Sequence, residues 1–131
     1  MARVKQLEWV LRLAVASAFV GHGAYGAVLA KPAWFGYFGV LGISHTGVEA
    51  GALMLLVGGF EIVLGVLTVV VPWPPLLVFM AVWKVGSELL RIPAGEPFWE
   101  FVERAANMVA PLALLFVMQL RRGQRVREGS W

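Results

Sequence analysis

The chain has 131 residues, 60% of them hydrophobic and only 15% charged, with a net charge of +3 and no cysteine. Soluble domains carry about 25% charged residues, and a fold this small has too little polar surface to cover so much apolar side chain. An ordinary soluble domain is therefore excluded, as are disulfides, thiolate metal sites and thiol redox relays.

Four spans of about 20 residues each, with short connections, account for the whole length as one membrane domain, 1–131. Seven of the eleven basic residues lie near the chain ends: Arg3, Lys5 and Arg12, then Arg121, Arg122, Arg125 and Arg127. The positive-inside rule then puts both termini in the cytoplasm, which requires an even number of spans. With no stacking motif and no globular basic face, the basic residues are read as anchors to anionic membrane lipids and not as a nucleic-acid surface.

The first span runs over about 9–29 and stops at Lys31-Pro32, because proline disfavours helix in the residue before it. A basic start and the small residue at Ala30 imitate a signal peptide. Cleavage there would leave an odd number of spans and discard His22, so the segment is read as retained. Residues 32–47 form an aromatic, glycine-rich connection holding Trp34, Phe35, Tyr37, Phe38 and His45. Such residues suit the headgroup level, and the segment reads as an interfacial or re-entrant cap over the outer face.

The second span covers about 48–71. Gly51, Gly58 and Gly65 recur on one helix face together with Glu61, and small residues there let a neighbouring helix approach closely. Glu61 thus faces protein, about 20 Å below Val48 and near the bilayer centre. A tight turn at Pro72-Trp73-Pro74-Pro75 leads to the third span, about 76–90, in which Lys84, Glu88 and Arg91 share a face. After a second outer loop, the fourth span covers about 98–120 and is followed by a cytoplasmic basic tail, 121–131. Glu100, Arg104, Asn107 and Pro111 follow one another at helical spacing, Glu103 and Asn107 form a second pair, and Pro111 leaves the Asn107 carbonyl free for a kink.

A charge at the bilayer centre costs about 3 kcal/mol on insertion scales, so His22, Glu61, Lys84, Glu88, Glu103 and Arg104 are expected to meet inside the helices. By helical rise they form a polar funnel open to the outer face, with Glu61 pairing to Arg104 or Lys84 and a sealed apolar cytoplasmic half. His22 and Tyr25 are placed to donate hydrogen bonds to a carbonyl, and a Glu/His pair can relay the two protons of a quinone reduction. An apolar pocket with a few convergent polar groups suits a quinone head or a small oxyanion. One intramembrane histidine argues against a bis-histidine haem, and no metal site is expected. No phosphate-binding or hydrolase motif is present.

In order along residues 9–117, Arg12-Leu13, Gly21-His22-Gly23, Lys31-Pro32-x-Trp34, Gly59-Phe60-Glu61-Ile62 with Gly65, and Trp83-Lys84 lead to the stretch from Gly95 to Arg104 with Asn107 and Ala110-Pro111. This ordered set resembles the DoxX-like family of small four-helix membrane proteins. The resemblance implies an all-α integral membrane four-helix bundle, N-in and C-in, in the cell membrane. The family includes a membrane subunit of thiosulfate:quinone oxidoreductase, and its distant relatives include membrane chaperones and cargo receptors. Two functions follow. One is a quinone-linked redox subunit with an electron-donating partner, in which His22, Glu61, Lys84 and Arg104 bind the head or pass protons, and Tyr25, Trp34, Trp83, Glu103 and Asn107 complete the pocket. The other is a non-catalytic assembly or chaperone subunit whose polar core is structural. Homo-oligomers are compatible with either.

Overall fold

The structure, a computed structural model, describes residues 2–29, 32–42 and 48–129, apart from the side chains of residues 48 and 49. Lys31 and His45, which the sequence reading used, lie outside them. Among the described residues all regular structure is helical: α1 (Ala2–Ala27), α2 (Ala33–Val40), α3 (Val48–Val70), α4 (Pro74–Leu89), α5 (Phe98–Glu103) and α6 (Ala105–Gly129).

Local chemistry sets the ends. Pro74 and Pro75 occupy the first positions of α4, where the missing N–H groups would have had no helical partner. Gly42, with φ of +78°, ends α2 in a left-handed turn that a side chain would strain. Gly95, with φ of +94°, does the same in the turn before α5, where the Glu96 N–H donates to the Arg91 carbonyl at 3.0 Å. The connection after the first span is therefore partly a true helix, α2, seated by burial of Trp34, Tyr37 and Phe38 against Met54 of α3. The anticipated kink at Pro111 is displaced: the interruption falls at Arg104, between α5 and α6, while α6 runs through Pro111. The basic segment after Leu120 continues α6 to Gly129.

The long helices pack in the order α3–α1–α6–α4. Contacts run in opposite directions along each pair, so the neighbours are antiparallel. Gly23 of α1 meets Gly58 of α3 while Ala16 and Val20 meet Gly65, and Glu8 at the start of α1 binds Arg121 near the end of α6. The glycine face of α3 thus works at Gly58 and Gly65. Gly51 does not belong to it, since a Cβ there would touch nothing. Helices α3 and α4 pack less closely along their backbones than α1 does with α3. Side chains span the gap, as where the Thr68 hydroxyl reaches Met80 Sδ at 3.4 Å.

Below the gap lies a dry core of Val15, Phe19, Leu64, Leu77, Met80 and Leu114. Its terminal end is closed by Glu8, 2% exposed, which accepts hydrogen bonds from Arg12 at 2.5 Å and Arg121 at 2.8 Å. Burial pushes the Glu8 carboxyl up, but the Arg121 and Arg12 guanidiniums outweigh it and hold the carboxyl below its ordinary value of 4.5. A carboxyl lowered in this way contributes stability that is complete above pH 4.5 and is lost as pH falls through its folded value. Glu8→Gln is therefore expected to lower stability by about 2 kcal/mol at pH 7, the size of a charge-assisted hydrogen bond. Thermal unfolding of both forms across pH should show that difference shrinking below pH 4.5; a difference independent of pH would refute the assignment.

The distribution of polarity is inverted relative to a water-soluble protein. Glu61, Lys84, Glu88 and Arg91 are buried, whereas Leu56, Val63, Val70, Val82, Phe116 and Leu120 are more than half exposed. Two helical stretches, Ala50–Val70 and the joined Phe98–Gly129, are long and apolar enough to cross a membrane. Helix α4 has 16 residues, about 24 Å of helix against a hydrocarbon core of about 30 Å. Helix α1 carries Arg3, Lys5, Glu8 and Arg12 in its first half.

Candidate ligand pocket

Helix α1 places His22 opposite Glu61 of α3 because the two helices touch at glycine. A Cβ on Gly58 would lie 2.5 Å from the Gly23 carbonyl oxygen and the Ala27 nitrogen, so only glycine permits this approach. Across it, His22 Nδ1 and Glu61 Oε2 are 2.5 Å apart. The other oxygen of Glu61 accepts from the Trp83 indole N–H at 2.8 Å, across the α3–α4 gap. Glu61 is 1% exposed, and this pair of donors satisfies both its oxygens. Its partners are thus His22 and Trp83, in place of the Lys84 or Arg104 anticipated.

The cations gather instead on Glu88 of α4. Lys84 Nζ lies 3.6 Å away, Arg104 Nε 3.9 Å away, and Arg91 Nε donates to it in close contact. Spacing along α4 accounts for two of these, since residues three and four apart share a helix face. His22 Nε2 stands 3.9 Å from Glu88 Oε1, so the imidazole lies between two carboxylates on different helices. Arg91 extends the network outward, donating to the Tyr37 hydroxyl and to Glu96, both at 2.7 Å. Tyr37 in turn donates to Glu96, tying α2 to the turn before α5.

In that outer cluster, burial and the bond to Glu96 push the Tyr37 hydroxyl well above its ordinary value. Burial opposes ionisation of Glu96 as well, but its bonds from Tyr37 and Arg91 hold it below the usual carboxylate range. Burial likewise works against the Arg91 charge, and Glu96 and Glu88 more than offset it, raising the guanidinium. All three keep their ordinary charges at neutral pH.

Between these groups and α2 lies a cavity of about 340 Å³. His22, Glu61, Trp83 and Arg91, with Tyr37 and Ser87, are its polar lining, and Trp34 and Phe38 supply aromatic wall. Trp34 is stacked at a tilt on His22, with ring centroids 5.1 Å apart. Gly26 makes the seat for that indole, because a Cβ there would come within 2.6 Å of it.

Of the anticipated site residues, His22, Trp34, Glu61 and Trp83 line this cavity. Lys84 is fully buried behind it against Glu88, with its ammonium 5.3 Å from the Phe19 ring centroid. Arg104 is partly exposed at the edge of the Glu88 cluster. Tyr25, Glu103 and Asn107 stand outside the cavity wall, Tyr25 and Glu103 on exposed positions. The residues added by the structure are Arg91 and Tyr37. The Lys84-Glu88-Arg91 spacing was a usable signal for the first; nothing local marked the second.

No protein-family model, curated protein or solved structure matches the chain. The DoxX-like resemblance therefore rests on the ordered motifs, and the functional reading rests on this pocket.

Proposed function

We propose that the chain is a multi-pass membrane subunit of DoxX-like type, a four-helix bundle with both termini in the cytoplasm, that holds a quinone head in the pocket at His22 and Glu61. The observation that carries this reading is a hydrogen-bonded imidazole–carboxylate pair on the floor of a largely apolar, aromatic-walled cavity. Apolar exposed faces around a charged interior support the membrane setting, since soluble proteins rarely expose apolar patches of that extent. Cavities of about 300–1,000 Å³ hold drug-sized ligands, and 340 Å³ is enough for a substituted ring but not for a long tail.

A bound quinone would supply two-electron, two-proton redox chemistry. The chain's own residues do the rest. His22 shares a proton with Glu61 across Nδ1, with Nε2 turned toward Glu88 at 3.9 Å, so protons can pass between the pocket and the two carboxylates. Trp83 fixes the Glu61 carboxylate in plane, and Trp34 holds the imidazole against rotation. The apolar walls exclude water and strengthen these hydrogen bonds. Having no cysteine, the chain is assigned a redox partner subunit as electron donor. The competing reading, a non-catalytic assembly subunit, is favoured by the Glu88 cluster, in which Lys84, Arg91 and Arg104 gather on a buried carboxylate of the chain itself.

Extraction of the protein purified in mild detergent, with quinone analysis and a difference spectrum, separates the two. The redox reading expects stoichiometric quinone. It also expects about 10- to 100-fold weaker retention in Glu61→Gln, the loss of one charge-assisted hydrogen bond, in a variant that stays folded at the assay temperature although its thermal midpoint is lowered. No quinone in the wild type, with stability or partner assembly lowered in Glu61→Gln, would leave only the assembly reading.

A further inference from the structure

The pocket grades from a polar floor to an apolar mouth. His22, Glu61 and the Trp83 indole form the floor, while Leu41 after α2, Val57 on α3, and Gly86 and Leu90 on α4 form the mouth. Leu41 and Gly86 are exposed as well as lining the cavity, so the opening reaches the protein's outer surface there. That surface is apolar on both sides of the opening, with Leu56 on α3 and Val82 and Leu89 on α4. The mouth also falls between α3 and α4, whose backbones pack less closely than those of α1 and α3 and which the Trp83–Glu61 hydrogen bond bridges.

Gly86 is the informative residue. Gly23, Gly26, Gly58 and Gly65 each have a packing reason to lack a side chain, since a Cβ would strike a neighbour. Among the described residues a Cβ on Gly86 would meet nothing within 4 Å, as at Gly21, Gly51, Gly59 and Gly123. Of these five only Gly86 lines the cavity, so a large side chain there would fall in its mouth.

We propose that the pocket takes its ligand from the bilayer, sideways through the gap between α3 and α4, and that the ligand carries an apolar tail which stays in that gap across Gly86. The proposal rests on the quinone reading for the head and adds the tail and the route. A head delivered from water would have to cross an apolar rim, whereas a membrane-dissolved amphiphile meets the same chemistry on the rim as in the lipid. The cavity has room for a substituted ring, so a long tail must leave through the mouth.

The test uses Gly86→Leu in lipid nanodiscs, with Gly86→Ala as control and thermal unfolding to verify the fold. Two probes are titrated by saturable quenching of tryptophan fluorescence, which Trp34 and Trp83 report from the cavity wall. One is 2,3-dimethoxy-5-methyl-6-decyl-1,4-benzoquinone and the other its tailless parent. Comparing each probe between protein variants cancels its partitioning into lipid. Gly86→Leu should weaken the decyl probe about tenfold or more and the tailless ring less than about threefold, with Gly86→Ala close to wild type. Equal losses for both probes, loss of the tailless ring alone, or no change for either would overturn the lateral route while leaving the head site standing. Absence of saturable quenching in the wild type with both probes would remove the quinone reading and this proposal together.

Discussion

Replacing Glu88 with alanine is expected to be the most damaging single polar substitution in the chain. Glu88 is 1% exposed and stands against Lys84, Arg91 and Arg104, of which Lys84 is fully and Arg91 almost fully buried. Removing the anion leaves the buried Lys84 without its ion-pair partner and Arg91 with Glu96 as its remaining close carboxylate, and breaking a buried ion pair costs about 3–5 kcal/mol. Glu103→Ala, at an exposed position on the neighbouring helix, should move stability by less than about 0.5 kcal/mol. Unfolding of both variants in the same detergent measures the contrast. Equal, small effects would mean that the cations are already solvated and that the cluster is not an interior feature.

The second large effect is expected at Gly58, where the obstacle is backbone. A side chain there would press on the Gly23 carbonyl and the Ala27 nitrogen at 2.5 Å, and neither can rotate away as a side chain would. Gly58→Leu must then separate α1 from α3, at about 3 kcal/mol or more, the upper end of overpacking costs. Because the same approach sets the distance from His22 to Glu61, the variant should also lose quinone retention. Gly51→Leu on the same helix is the control, since its Cβ meets nothing, and should leave both properties intact. A Gly58 variant as stable as the Gly51 one would contradict the close α1–α3 contact.

Apolar runs and their punctuation made the long helices legible in the sequence. The run over 48–71 is helix α3, Val48–Val70, and the Pro-Trp-Pro-Pro break is the turn before α4. Helix α2 was less legible because Gly36 and Gly39 lower local helix propensity, and burial of Trp34, Tyr37 and Phe38 on α3 compensates only in the folded chain. The interruption at Arg104 carries no proline or glycine to announce it, whereas Pro111 is tolerated within α6.

For the pocket, the cost of burying charge identified which residues turn inward but not their partners. Helical rise and facing brought His22 and Glu61 to one level, and the glycine spacing on α3 explains how they meet. Partner choice depended on the packing order α3–α1–α6–α4, which puts Arg104 beside Glu88 and leaves Glu61 to His22 and Trp83. Lys84 and Glu88 on one helix could be paired from spacing alone. Tyr37 and Glu96, far apart in sequence, could not.

In the proposed membrane setting, lipid meets the apolar faces while the charges face one another. Because the chain has no cysteine, single cysteines can be introduced and spin-labelled without background. Labels at Leu56, Val82 and Phe116, all largely exposed on different helices, should collide with dissolved oxygen and be shielded from a water-soluble nickel chelate in bilayers. A label at Arg122 should show the reverse. Nickel access exceeding oxygen access at all three apolar sites would place those faces in water and contradict the membrane-embedded pocket.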